Sequence, residues 1–279
     1  MSAAPVGVAR GWLSGLGRGA RETLSYVWLL GVLLLFWQWR ATASPSPFVP
    51  PVSDALQTLR SEWFSGSASQ LFLSEIFRDN AFASLARATQ GWLVAAMVGV
   101  SLGVVLGVWR AAWEFANPVV RFGMSVPSTV LLPIAVVLFG ITSSMNVFLI
   151  AFGSMWVVLV NTMDGVRNID ETAMLTARSL RLSRFRAFSR VLVPAASPHI
   201  VTGLRVSIGI ALILMVVSEL FAATEGIGYY IVYNQRTFQY RKVWGAVFLL
   251  AFLGVALNGL FALFETWTLR WHRARGRGE

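Results

Sequence analysis

Long apolar runs recur along the chain, separated by short polar stretches. They fall at Thr23 to Trp39, Ala88 to Trp109, Phe122 to Thr142, Met145 to Met163, Ile200 to Ala223 and Val243 to Phe264. Only the fifth carries charge, Arg205 near its start and Glu219 near its end. A helix needs ~17–25 such residues to cross the hydrocarbon core. The first run is at the short limit, and its Trp28, Trp37 and Trp39 suit anchoring at the interface. The pattern predicts an all-α polytopic membrane protein of about six transmembrane helices, with spans near 23–39, 88–109, 122–142, 145–163, 200–223 and 243–264. A tail at 1–22, a membrane domain at 23–269 and a basic tail at 270–279 complete the division.

The polar stretches carry further signals. Pro45, Pro47, Pro50 and Pro51 forbid a continuous helix after the first run. Ser53 and Asp54 are expected to cap a short amphipathic helix, and the chain to about Ser84 is expected to lie outside the bilayer. Gly99, Gly103 and Gly107 recur every fourth residue, which puts them on one helix face and invites close approach of a neighbour. Pro127 and Pro133 interrupt the third run beside Ser125, Ser128 and Thr129. Such a helix either lines a polar pathway or packs with a kink. Ser125, Thr129, Met155, Ser218 and Glu219 are the candidates for a pathway or gate. Glu219 is either that or a helix-packing hydrogen-bond partner, because an ionisable group at membrane depth is costly and needs a reason.

A second long polar interval within the membrane domain, residues 164–198, contains DETAMLTARSLRLSRFRAFSRVLVPAASP. Asp170 and Glu171 open a helix and Arg178 and Arg181 close it, in the order the helix dipole favours. Leu182-Ser183 offers a break, and Ser183 can cap a second helix that Pro194 and Pro198 are expected to end. The two helices form an elbow at the membrane surface, with Leu175, Thr176, Ala177 and Leu180 exposed on it. Asn161, Asp164 and Arg205 flank the interval and are expected to fix it to the spans. Glu265 is expected to pair with Arg270.

Composition agrees with the membrane reading: 56% of residues are hydrophobic and 13% charged, where a soluble domain carries about 25% charged residues. The absence of cysteine excludes disulfides and thiolate chemistry. Of the 23 basic residues, sixteen fall on the side holding both termini and the elbow, and seven on the other. The positive-inside rule therefore places both termini and the elbow in the cytoplasm. These charges are membrane flanks, which excludes a nucleic-acid partner and leaves lipid as one.

The stretch Arg190 to Pro198, the Gly203-Leu204-Arg205 after it, Val126-Pro127 with Leu132-Pro133, Ser218-Glu219-Leu220, and Glu225-Gly226-Ile227-Gly228 share a resemblance. From about Ala83 to the last span the chain resembles the permease subunit of a bacterial ATP-binding-cassette (ABC) importer of the sulfonate/taurine/nitrate branch. The resemblance implies a type I importer permease fold in the inner membrane. Its coupling helix would meet cytoplasmic ATPase subunits through Leu175, Thr176, Ala177, Arg178, Ser179, Leu180, Arg181, Leu182 and Arg184. It also implies a small polar solute delivered by an extracytoplasmic binding protein, with a second permease alongside. The outward loops, Pro45 to Ser84 and Thr224 to Lys242, would face the binding protein. The family's Glu-Ala-Ala falls on Leu175-Thr176-Ala177 and its glycine on Arg181, so two signature positions are altered. That departure favours a sister permease with a more typical loop over a second copy of this chain.

No Gly-x-x-x-x-Gly-Lys-Ser/Thr surrounds Lys242, the one lysine, so ATP chemistry is expected on a partner and the chain is not expected to be an enzyme. His199 and His272 lack metal-ligand spacing, and no cofactor is implied. The alternative reading is a channel or membrane enzyme that works without an ATPase, for which the elbow is only an interfacial helix.

Overall fold

The computed structural model describes residues 28–67 and 70–269, and every named element among them is helical. Residues 28–43 form α1. The start of the expected first span at 23–27 and both expected tails lie outside the described residues, as do Arg270 and His272. After the proline-rich turn comes α2, Val52–Trp63. Ser53 and Asp54 do not cap it, contrary to expectation. Pro51 takes the N-cap place, and the Ser53 N–H is already used by Gln38 Oε1 of α1, at 3.0 Å.

A π turn, Phe77–Ala81, leads into α3, Phe82–Val108, as one 32-residue apolar helix. Ser84 and Arg87, expected outside the bilayer, are therefore buried residues of a spanning helix. The run from Phe122 to Thr142 is divided between two helical pieces. The first, α4 (Arg110–Ser125), meets the second, a 3-10 turn Ser128–Leu131 followed by α5 (Leu132–Phe139), at 86°. The break is at Val126, whose ψ of 114° is the extended value that a following proline enforces. Next is α6, Ser143–Arg167. Among the described residues four helices are long and apolar enough to cross a membrane, and the bent pair is a fifth candidate.

The elbow comprises α7 (Glu171–Ser179) and α8 (Arg184–Ala187). The π turn Phe188–Leu192 then joins α8 to α9, Val193–Phe221, in one continuous 38-residue helix. Pro194 and Pro198 do not end it as expected. Pro194 lies in the first turn of α9, after the wide π turn, where a missing N–H costs little. Pro198 deprives the Pro194 carbonyl of its usual donor, and the Ser197 hydroxyl donates to that carbonyl instead, at 2.9 Å. α10 (Ile227–Arg236) and α11 (Tyr240–Thr268) complete the chain.

The central layer is α3, α6 and α9. On α3, Gly91, Ala95, Gly99, Gly103 and Gly107 form one face. A Cβ on Gly99 would sit 2.8 Å from the Met155 carbonyl oxygen, and one on Gly103 2.6 Å from that of Leu159. The two helices therefore meet nearly backbone to backbone, which is how spans associate where lipid supplies no hydrophobic drive. The α6–α9 contact works alike: Gly203 packs on Asn161, and Gly165 on the Cβ of the exposed His199. Outside this layer α2 lies on α10 and α11 through Trp63, Phe77, Tyr230 and Leu249. Ion pairs Arg241–Asp54 at 3.2 Å and Lys242–Glu62 at 3.4 Å hold its edge. Tyr230 donates to Glu62 at 3.1 Å, and burial with that neighbouring charge pushes its phenol far above the usual value.

Gly103→Val is expected to destabilise the folded chain by about 1–3 kcal/mol through overpacking, read as a lowered melting temperature in detergent. Gly259→Ala on α11, where an added Cβ meets nothing within 4 Å, is expected to be neutral or stabilising.

Candidate functional site

Two features stand at opposite ends of the 38-residue rod that runs from Arg184 to Phe221. At its far end Glu219 is buried, with 1% exposure. Its carboxylate accepts from three groups on two other segments. Arg87 Nη1 of α3 donates at 2.9 Å, the Ser84 hydroxyl at 2.8 Å, and the Gly228 N–H at 3.0 Å. The Ser84 oxygen in turn accepts the Ile227 N–H at 2.8 Å. Arg87 spends its remaining donors on the Glu225 carbonyl (2.9 Å), the Glu225 carboxylate (2.6 Å) and the Ser143 hydroxyl at the start of α6 (3.1 Å). Asn80 accepts the Gly226 N–H at 3.1 Å. One guanidinium and one carboxylate thus bind α3, α6, α9 and the 225–228 turn together.

The turn fits only because of its glycines. Gly226 has φ 117°, a conformation that L side chains avoid, and a Cβ there would lie 2.5 Å from the Glu219 carboxyl carbon. A Cβ on Gly228 would lie 2.6 Å from the Glu219 Cβ.

At the near end is the elbow. Asp170 opens α7: its carboxylate accepts the Thr172 N–H at 2.9 Å, which holds its pKa below the ordinary value. The helix closes with Leu182 N–H donating to the Ala177 carbonyl at 3.1 Å, around Arg181 at φ 48°. That is a Schellman closure, whose left-handed position usually holds glycine. Ser183 then caps α8, accepting the Arg186 N–H at 3.4 Å. Leu175 is 51% and Leu180 67% exposed, and Thr176 is exposed too. Ala177, expected on the exposed elbow, is buried at 4% because its carbonyl closes the turn and the residue lies under the returning chain. Ser179, Arg181 and Arg184 are exposed and Leu182 is half-buried, while the Arg178 side chain lies outside the described residues.

The pattern characteristic of binding-protein-dependent transport system inner membrane components matches residues 91–270. The chain belongs to that family. This permease shares 29% identity with the nitrate import permease NrtB of Leptolyngbya laminosa, over 88% of this chain and 87% of the relative. It shares 32% with the bicarbonate transport permease CmpB of Synechococcus elongatus, over 67% and 68%. With the aliphatic sulfonates transport permease SsuC of Bacillus subtilis it shares 29%, over 68% and 69%. Its fold is similar to a chain of the MetNI methionine ABC transporter, at TM-score 0.51 and 18% identity, covering 68% of this chain and 99% of the other. It is a multi-pass permease subunit of an ABC importer.

The structure brings only some of the expected site residues together. Ser218 and Glu219 are buried inside the permease, and the Ser218 hydroxyl turns back to the Met215 carbonyl. Ser125 and Thr129 are exposed on either side of the α4–α5 break, and Met155 is half-buried on α6. Glu219 is fully engaged as a packing partner. Arg205 pairs with Glu265 at 2.9 Å, so it ties α9 to α11 instead of fixing the elbow, and Arg270, the partner expected for Glu265, lies outside the described residues. Asn161 donates to the Val157 carbonyl within its own helix. Asp164 is exposed at the end of α6, with its backbone carbonyl accepting the Asn168 N–H. Arg87, Ser84, Glu225 and Ser143 escaped the sequence reading because Arg87 looks like an ordinary membrane flank. The signal was the pairing of an arginine at one span's start with a glutamate at another's end.

Glu219→Ala or Arg87→Ala is expected to cost about 3–5 kcal/mol, since each strands a buried charge. The double variant should cost clearly less than the sum. Unfolding of the purified permease in detergent measures both.

Proposed function

We propose that the permease forms the translocation pathway for a small polar solute that an extracytoplasmic binding protein delivers, with alternating access driven by cytoplasmic ABC ATPase subunits. ATP hydrolysis belongs to those partners, which engage the elbow through Leu175, Thr176, Leu180 and the arginines beside them. The observation that carries this is the unbroken rod: the elbow's second helix and Glu219 share one helix of 38 residues. At 1.5 Å per residue it is about 57 Å long, against a hydrocarbon core of ~30 Å. A displacement of the elbow is therefore passed as rigid motion to the Glu219–Arg87 cluster on the far side.

Relatives named for nitrate, bicarbonate and sulfonates support a small oxyanion as cargo. The imbalance of sixteen basic residues against seven supports the elbow and both termini in the cytoplasm, with the outward segments 45–76 and 224–242 facing the binding protein. Phe115 and Phe122 on α4, Val130 on the 3-10 turn and Val137 on α5 stand exposed and offer a face to the second permease. The altered signature positions, Leu175 and Arg181, favour a sister chain there over a second copy.

Tagged permease drawn from native membranes should carry an ATPase subunit and a second permease species, separable by mass. Leu175→Asp with Leu180→Asp, both exposed, should weaken ATPase retention about 30-fold or more if these are anchors of the interface, and ATP-dependent uptake should fall with it. Uptake that persists without any ATPase would overturn the reading, and a single permease species would overturn the sister chain.

A further inference from the structure

At the elbow's end of the molecule, the last turn of α3, the start of α4, the end of α6 and the π turn before α9 leave a cavity of about 700 Å³. Two arginines face it. The Arg167 guanidinium is pinned: Nη2 donates to the Leu106 carbonyl at 3.1 Å, and its carbon lies 4.8 Å from the Trp113 ring centroid. Among the described residues it has no carboxylate within ion-pair distance, so its charge is held in place without a counter-ion. Arg110 is 91% exposed and pairs with Glu114, which also lines the cavity, at 3.0 Å on the same helix. The remaining walls are apolar, from Val108, Val166, Ile169 and Leu192. The cavity is far larger than a free phosphate or sulfonate, and it opens where spanning helices end. A fixed cation beside apolar walls at that boundary selects an amphiphilic anion.

We propose that this cavity holds the phosphate headgroup of an anionic phospholipid, with Arg167 and Arg110 on the phosphate oxygens and an acyl chain along Val108 and Val166. Ile169 and Leu192 belong to the two strands of chain that enter and leave the elbow, so the bound lipid braces the elbow at its root. The site stands on the cavity whether or not the elbow meets an ATPase. The proposed orientation decides only which leaflet supplies the lipid.

The test is native mass spectrometry of the full permease, with the subunits it carries, after titration with phosphatidylglycerol, phosphatidylcholine or inorganic phosphate. Phosphatidylglycerol should be retained and phosphatidylcholine not. Arg167→Ala should weaken retention about fivefold, the contribution of one basic residue near an anionic surface. Arg110→Ala, at an exposed side chain, should weaken it independently if the first variant folds poorly. Arg121→Ala, whose guanidinium bonds Asn117 instead, should change nothing. Equal retention of phosphatidylcholine, or full retention by both cavity variants, would overturn the proposal. Displacement of the lipid by inorganic phosphate at equal concentration would assign the site to a free oxyanion and overturn the lipid.

Discussion

The Arg87–Glu219 pair is the constraint around which the spans are arranged. Taking both charges out of water is expensive, and only complete hydrogen bonding offsets that cost. Here the carboxylate meets an arginine, a hydroxyl and a backbone N–H, and the guanidinium reaches four acceptors. The pair therefore fixes which ends of α3, α6 and α9 meet. The glycine face of α3 then sets how closely the helices lie along their length. One device specifies register and the other distance, and neither relies on apolar burial, which lipid makes nearly neutral.

Arg87 and Ser84 precede the family-matched region, which begins at 91, while Glu219 and Glu225 lie within it. The cluster thus joins the family-matched region to the stretch of α3 just before it. Glu225 is half-exposed on the outward turn, so the buried pair is one residue away from the surface proposed to meet a binding protein. A contact there reaches Arg87 through a single side chain.

Much of the fold was legible because membrane helices announce themselves by length. The glycine spacing, the Leu182-Ser183 break and the Ser183 cap were equally readable, being local. What was hidden was the use of local breakers by a larger helix. Pro194 and Pro198 read as terminators, yet a preceding π turn and the Ser197 hydroxyl accommodate both. Pro127 does break its run, because Val126 before it takes the extended conformation. The site was half legible: Glu219 stood out as a charge in a span, but its partner lay at a helix start, where arginine is commonplace. Arg181 illustrates the opposite limit. Its replacement of a glycine suggests a lost turn, yet the chain keeps the left-handed conformation at φ 48° and closes the same way.

The two π turns hold the angular phase of the helices they precede. Each is one residue wider than the α-helix that continues it, so its five residues turn the chain about as far as four residues of α-helix do. Removing a residue from 188–192 would restore an unbroken α ladder, shorten the rod by one residue and leave Leu175 and Leu180 on nearly the same bearing. The rod can therefore gain or lose a residue at that one place while the contacts of α9 inside the membrane keep their faces.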